Sequence, residues 1–480
     1  MELEELKTLL GSPADLVKAI QKNQRELNQK EALEQYQPET HAVLDTGKRP
    51  KKQISKPTGR KNDDGSDEMQ TSLEEVARIP VALQKLIVGR AATFLTGQPV
   101  TLHCKPNNPQ EEKLQLMVEK IWQDAKLNFK NRPIAKTMMA EKEVVELWSF
   151  VEAEEGYWGE LGNKNSKLKL RLNILKPSEG NTFYPVYDKY GDMIAFGRGY
   201  FLKEGEKEVE MLDLYTAEQI NRYSKGESSW ALVPEDSKSN VLGKLPIVYY
   251  SQTRTEWQDV QWAIERLETL LSNHADTNDY NGSPILVSKG KVAGMATKGE
   301  RGKVFEVEEG GDLKYITWDN APESIKLEIE NLFDIIYTIT QTPNITFKEM
   351  KGLGQLSGIA IKLMFLDAHG KAKDKQDDYY GECIQRRINL LKAAAAKINV
   401  DMEKVQGLNI VPEFALFMPD NEVEKTELQG KQIDNLLRAT GEKAVMSQQT
   451  AVEHNPLVEN VEDELKLIQK QEEANELRLS

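Results

Sequence analysis

A chain of 480 residues, 39% hydrophobic and 29% charged, is long enough for two to four structural units and a sizeable buried core. Its net charge of -14 excludes a surface that grips nucleic-acid phosphates throughout, but not an acidic wall past which DNA slides. No stretch reaches the roughly 20 apolar residues of a membrane span, and Met-Glu-Leu-Glu-Glu-Leu has neither the basic nor the apolar part of a signal peptide. Cys104 and Cys383 stand far apart without metal-ligand spacing, so the composition predicts a reducing, cytosolic setting.

In chain order, residues 1 to about 35 carry apolar positions at helical spacing, Leu9, Leu10, Leu16, Val17, Ile20 and Leu27, and predict one or two charged amphipathic helices. Residues 45–70, basic first and acidic after, predict a solvated polar loop rather than a nucleic-acid patch. Leu73 to Leu95 predicts a strong helix closed by Thr96-Gly97-Gln98-Pro99, and Val100 to Cys104 a short strand. Pro109–Trp122 and Arg132–Glu146 predict further helices. From Leu147 to about Tyr250 the period becomes that of strands, clearest in Leu168–Leu175, Met193–Leu202 and Val209–Tyr215, with a hairpin turn at Tyr187-Asp188 and Gly191-Asp192.

Glu256 to Tyr280 predicts a long helix with Val260, Ile264, Leu267, Leu271 and Ala275 inward, and Trp257 and Trp262 as packing groups rather than base-stacking ones. Short strands return between residues 281 and 320, and a helix begins at Pro322 and stops at Pro343. A loop with Gly352 and Gly354 follows, and Ser357 caps a long helix from about Gly358 to Ile398, in which Gly370 and Gly381 are expected bend points. Ile410 to Phe417 predicts a strand, and Glu422–Gly441 and Val461–Leu477 exposed helices. The fold class is α+β and predominantly helical.

Enzymatic motifs are absent from the sequence. There is no Gly-x-x-x-x-Gly-Lys-Ser/Thr, no His-Glu-x-x-His, no Gly-x-Ser-x-Gly and no Cys-x-x-Cys, and the five histidines are scattered. Asp374, Asp377, Asp378 and Glu382 share one helical face, but Lys371, Lys373 and Lys375 are interspersed, and a polar helix accounts for them better than a magnesium site. Asp276 and Asp279 near His274 read the same way. The expectation is no enzyme, no catalytic residue, no metal and no cofactor. What remains is the connection around Lys348 and Lys351, longer than most helix–helix loops, with Phe347 and Met350 beside the lysines. Such a loop suits transient contact with a phosphate backbone without reading sequence.

Gln341-Thr342-Pro343-Asn344 through Leu356-Ser357-Gly358-Ile359-Ala360-Ile361-Lys362 resembles the most recognisable stretch of the portal (head–tail connector) proteins of tailed bacteriophages. Other stretches agree in order: Val76 to Val100 with its Leu-Thr-Gly-Gln-Pro-Val ending, Pro185-Val186-Tyr187-Asp188, Leu245-Pro246-Ile247-Val248 leading to Glu265–Asp279 and Pro284-Ile285-Leu286-Val287, and Met418-Pro419-Asp420-Asn421-Glu422. The resemblance spans about Leu73 to Glu464.

It implies a wing from residues 1–254, a first stem helix at 255–280, a clip at 281–321 and a second stem helix at 322–341. A tunnel loop at 342–357 would follow, then a spine helix and the rest of the wing at 358–420, and a reduced crown at 421–480. It implies a homo-oligomeric ring, normally dodecameric, at one capsid vertex in the virion, assembled in the bacterial cytoplasm. Double-stranded DNA would be packaged and ejected through the axis, touching the loop at Phe347, Lys348, Met350 and Lys351, with Pro343, Gly352, Gly354, Gly358, Gly370 and Gly381 as hinges or bends. Its partners would be the terminase packaging motor, a head–tail adaptor, and the major capsid and scaffold proteins, with no membrane. The alternative is a helical scaffold or adaptor without DNA contact, working through 422–477; a nuclease using Asp374, Asp377 and Asp378 is a weaker third.

Overall fold

The computed structural model describes residues 3–479 except 23, 26, 164–165, 206, 228, 282–284, 290–291, 294–305, 308–311, 317–321, 345–362, 416, 418–421, 441–443 and 459. Helix makes up 51% and strand 22%, which is the predominantly helical α+β class expected. Two compact units form, Met1–Asn344 with Asp367–Phe417, and Ile345–Leu366 with Met418–Ser480.

In the first unit, helices α1 (Leu3–Leu9), α2 (Pro13–Gln21) and α3 (Gln29–Tyr36) precede a hairpin of β1 (Lys52–Lys61) and β2 (Asp67–Glu74). Then come α4 (Leu83–Thr96), β3 (Thr101–Cys104), α5 (Pro109–Asp124) and α6 (Leu127–Glu141). The β region holds β4 (Glu143–Glu152), β5 (Leu168–Leu175), β6 (Thr182–Tyr187), β7 (Met193–Glu204), β8 (Lys207–Thr216), β9 (Gln219–Lys225), β10 (Trp230–Leu232), β11 (Lys238–Ser239) and β12 (Ile247–Ser251). β6 to β10 form an antiparallel meander with β11 on β9, and β12, β4 and β5 form a three-stranded sheet in that order.

Alternation along the strands decides what each face of the meander covers. Tyr184, Val186, Ala195, Leu212, Leu214 and Tyr223 pack on Leu6, Leu16, Val17 and Ile20 of α1 and α2. Their sequence neighbours Phe183, Phe196 and Tyr215 pack the other way, on Val145, Leu175, Ile247 and Tyr249 of the smaller sheet. Gly197 leaves room for α2: a Cβ there would lie 2.9 Å from Ile20 Cγ2.

Helix α7 (Gln261–Asn281) and α8 (Pro322–Ile339) flank the ladder of β13 (Ile285–Lys289), β14 (Val292–Ala293), β15 (Glu306–Val307) and β16 (Asp312–Ile316), in which β13 pairs with β16 and β14 with β15. α9 (Leu366–Lys375), a π turn at Gln376–Tyr380 and α10 (Gly381–Ile398) follow, and β17 (Ile410–Glu413) pairs with β3. The second unit contains α11 (Glu422–Ala439), α12 (Gln448–Glu453) and α13 (Val461–Leu479). Ser447 caps α12, its hydroxyl accepting the Thr450 N–H at 3.2 Å.

Four local expectations are corrected. Residues 52–74 form a hairpin rather than a loop. Its turn is fixed by Asp64, which accepts the Ser66 N–H at 2.9 Å, and by Gly65 at φ +83, while strands polar on both faces hid the alternation. The helix expected from Leu73 starts at Leu83 instead, because Pro80 removes a donor and disfavours helix at Ile79. The helix expected to reach Glu146 ends at Glu141, where Lys142 turns left-handed (φ 68) and β4 begins. Trp257 is buried and stacks on Tyr36 at 5.6 Å, whereas Trp262 is 57% exposed and only donates to Asp259 O.

The extended segment 77–81 is held on α7 by matched repeats. Ala77 N–H donates to Asp276 Oδ1 (2.6 Å), Ile79 N–H to Ser272 Oγ (3.0 Å) and Val81 N–H to Glu268 Oε1 (2.8 Å). Two strand residues advance about 6.6 Å and four helix residues about 6 Å, so every second amide meets the next side chain of one helical row. Glu268 also receives His41 Nδ1 at 2.5 Å, and His41 Nε2 donates to Gln35 O at 2.8 Å. With acceptors at both ring nitrogens His41 is the imidazolium; burial opposes that charge, and Glu268 outweighs it and raises the pKa.

The centre of the large core is ionic. Arg387 of α10 and Glu146 of β4 are both fully buried. Arg387 Nε donates to both Glu146 oxygens (3.1 and 3.0 Å), Nη1 to Asn131 Oδ1 of α6 (2.7 Å), and Nη2 to Tyr250 OH of β12 (2.9 Å) as well as to Glu146. Tyr250 OH and Trp148 Nε1 donate in turn to Glu146 at 2.8 and 3.1 Å, and Trp122 lies under the guanidinium at 5.2 Å. Burial works against the charged guanidinium, but the Glu146 carboxylate outweighs it and holds Arg387 above its ordinary pKa. Breaking such a pair strands a charge in the core. Glu146→Gln is expected to cost about 3–5 kcal/mol, read as earlier thermal or denaturant unfolding, and Glu146→Leu with Arg387→Met to recover most of the loss. Equal destabilisation by the single and double variants would refute this account.

Candidate functional site at the root of the loop

Of the residues singled out on the loop, Phe347, Lys348, Met350, Lys351, Gly352, Gly354 and Gly358 lie outside the described residues, and Pro343, Gly370 and Gly381 lie within them. The described geometry is that of the root, where α8 hands over to the loop.

Pro343 is not what ends α8. Gln341 adopts φ +53, its N–H donates to Thr338 O (3.1 Å), and the Thr342 N–H reaches back to Tyr337 O (2.9 Å). This is the paired closure of a Schellman motif with glutamine in the left-handed place usually given to glycine, and Pro343 comes two residues later. The helix's C-terminal carbonyls then face cations, which their partial negative charge favours. Lys371 Nζ donates to Thr340 O at 2.9 Å, and Arg90 of α4 donates to Pro343 O while lying over the Tyr337 ring at 5.7 Å. Thr340 and Thr342 are buried, with their hydroxyls 2.8 Å apart.

Lys371 is itself held from below. Glu256, whose side chain is 4% exposed, takes Lys371 Nζ on Oε2 at 2.7 Å and Lys375 Nζ on Oε1 at 2.6 Å. The lysines are one helical turn apart, so a single carboxylate bridges them. Burial pushes the Glu256 carboxyl up, and the two ammonium groups outweigh burial and leave it below its ordinary value. The chain Glu256–Lys371–Thr340 therefore links the segment leading into α7, helix α9 and the end of α8. Sequence reading placed Lys371 and Lys375 on a polar helix and gave Glu256 no role. The available signal was the i, i+4 spacing of the lysines, but nothing local marks a partner more than a hundred residues away.

The two described glycines of α9 and α10 differ. Gly370 is exposed, and a Cβ there would touch nothing within 4 Å. The Gly381 N–H bonds Gln376 O, closing the π turn, and a Cβ would fall 2.0 Å from that oxygen, so only glycine fits without a shift. The carboxylates of the same stretch are used in surface pairs, Lys373 with Asp377 (2.7 Å) and Arg386 with Glu382 (2.6 Å), and no metal-binding cluster occurs among the described residues. Asp276, expected as part of a polar helix end, instead holds Arg49 (2.7 Å), Lys52 (3.2 Å) and the Ala77 amide. No helix among the described residues is long and apolar enough to cross a membrane.

Because the Glu256 pKa is lowered on folding, its contribution is complete above the ordinary value of about 4.5 and is lost as pH falls through the lower folded value. Glu256→Gln is expected to destabilise the chain by about 1–3 kcal/mol at neutral pH, since two partly buried lysines lose their counter-charge. The gap between wild type and variant should narrow as pH drops below 4.5, as followed by chemical unfolding across pH. A gap independent of pH would remove the ionic account of the root.

No curated protein matches the chain. Among solved structures, a chain from the neck of a native GTA particle, computed with C12 symmetry, is 11% identical with a TM-score of 0.36, over 78% of this chain and 88% of that one. A likeness at that level supports nothing further about this chain. The family model described as phage portal protein, SPP1 Gp6-like, matches residues 17–476, nearly the whole length. The resemblance seen in the loop and its flanking helices holds at the scale of the family, and this chain belongs to the SPP1 Gp6-like phage portal proteins.

Proposed function

We propose that the chain is the repeating subunit of a closed ring, dodecameric by the pattern of its family, at one vertex of a phage capsid in the virion. Double-stranded DNA is packaged and ejected through its axis. The observation that carries this reading is the family match over residues 17–476. On it, residues 1–254 and 358–420 make the wing, α7 and α8 the stem, 281–321 the clip, 342–357 the tunnel loop and 421–480 a reduced crown.

Head-to-tail contacts close a ring when each subunit presents two different surfaces and the rotation between copies fits. The charge of -14 suits a wall that DNA slides past, and Lys348 and Lys351 supply weak, sequence-independent contact from the loop. The sequence has no phosphate-binding loop, so the energy for packaging comes from a separate terminase motor that docks on the ring. An adaptor takes the motor's place later, and scaffold and capsid proteins seat the ring. The root described above gives the loop a firm base: α8 ends in a closed cap, Lys371 holds the Thr340 carbonyl at its end, and Arg90 holds the Pro343 carbonyl just beyond it.

Light scattering and electron microscopy of the full chain are expected to show particles of about 650 kDa, twelve times 54.5 kDa, with an axial hole. A monomer under all conditions, including with scaffold and capsid protein present, would favour the helical adaptor instead. Lys348→Ala with Lys351→Ala is expected to leave rings intact and lower DNA packaging on the order of tenfold. Normal packaging by that variant would overturn the loop's contact with DNA.

A further inference from the structure

Segment 77–81 is one side of a strap laid along α7, and the run from His41 to Lys52 is the other. Both sides meet the helix at one row of side chains, Glu268, Ser272 and Asp276. At the Asp276 end the cations are Arg49 and Lys52, and Arg49 also donates to Asn273 Oδ1 (2.8 Å) and Ala77 O (2.7 Å). Guanidinium and ammonium groups stay charged well into the alkaline range. At the Glu268 end the cation is His41, a side chain that can lose its charge near neutral pH.

His41 and Glu268 are both buried, and the ring stands between two acceptors, Glu268 Oε1 at Nδ1 and Gln35 O at Nε2. Only the doubly protonated ring satisfies both, because a neutral imidazole has a single N–H. With that N–H on Nδ1, a lone pair faces the Gln35 carbonyl; with it on Nε2, a lone pair faces the Glu268 carboxylate. Either way one buried bond becomes a repulsive contact. Glu268, which also holds the Val81 amide, is then a buried carboxylate without its counter-ion.

The charged groups acting on the ring are Glu268 from α7 and Glu39 from the turn Pro38–Thr40, and both favour the proton. α3 presents the uncharged Gln35 carbonyl and the strap the uncharged Val81 amide, while Lys85 of α4 lies over the Tyr36 ring at 5.8 Å. Burial opposes the imidazolium, and the hydrogen bond and charge of Glu268 outweigh it, so the folded pKa lies above the ordinary 6.5. The stabilisation is therefore complete below 6.5 and is lost as pH rises through the higher folded value.

We propose that His41 is a pH-sensitive latch: protonated, it clasps residues 41–45 and Val81 to α7, and deprotonated, it releases that end of the strap while Asp276 keeps the other. The latch lies within a single chain and does not depend on ring formation.

The test uses the full-length chain. Exchange of the imidazole C2 hydrogen, read by mass spectrometry, follows the titration of His41. Amide hydrogen exchange, corrected for the chemical rate at each pH, follows the strap from about pH 6 upward until His41 has lost its proton. The amides of Leu44, Asp45 and Val81 are expected to lose protection on the order of tenfold with the midpoint of His41, above 6.5. The Ala77 amide and those of α10 should keep theirs. His41→Gln, which has no proton to titrate, is expected to show the released end at every pH. Asp276→Ala is expected to free Ala77 and leave the pH response at Val81 in place. A His41 midpoint at or below 6.5 overturns the latch, as does constant protection at 44, 45 and 81 while His41 deprotonates. An equal loss in α10 overturns it too, because the whole unit would then be unfolding. If His41→Gln does not fold, the wild-type profile decides alone.

Discussion

The buried pair of Arg387 and Glu146 is the constraint on which the first unit depends. One guanidinium reaches a strand carboxylate, a tyrosine on a neighbouring strand and an asparagine on a helix, so α6, α10, β4 and β12 meet through a single side chain. Removing two charges from water is expensive, and the attraction between them repays it only when geometry and extra hydrogen bonds are good. Here every strong donor of the cluster has a named acceptor: Trp148 and Tyr250 complete the carboxylate, and Asn131 takes the far side of the guanidinium. Apolar residues such as Ile134, Ile384 and Ile388 supply the burial around it, but they would tolerate small slides that the ion pair does not.

The same device recurs at the periphery, each time with a carboxylate receiving groups from segments far away in sequence. Glu268 and Asp276 bind the amides of 77–81 along with His41 and Arg49. Glu256 binds two lysines of α9, and through Lys371 the end of α8. An acidic chain thus uses part of its negative charge internally, to position segments that have little apolar surface of their own. Segment 77–81 is the clearest case: an extended strand without a sheet, whose alternate amides are satisfied by side chains of a helix.

What the sequence made legible follows from how local each signal is. The β runs Leu168–Leu175, Met193–Leu202 and Val209–Tyr215 and the helices from Pro109 and Pro322 carry their period and caps within themselves, and they stand where periodicity put them. The hairpin at 52–74 and the strand start at Glu143 were missed because a polar ribbon lacks alternation and a helix-like composition hid the Lys142 turn. Gln341 was overlooked as a stop because the sequence offered a proline two residues on, and glutamine is a rare choice for a left-handed cap. Of the site, the loop was conspicuous by length and composition. Its anchors Arg90 and Glu256 were invisible, since neither sits in a motif and both act across the fold.

The end of α8 is anchored by side chains from distant segments, and the local chemistry there makes that anchor firm. Backbone carbonyls at a helix terminus are weak anchors in water, because solvent competes for them. Thr340 O is buried and meets an ammonium group fixed by a carboxylate that solvent barely reaches. Charge-assisted hydrogen bonds in such a setting are roughly twice as strong as neutral ones. The end of α8 is thereby more costly to disturb than a helix terminus capped by solvent.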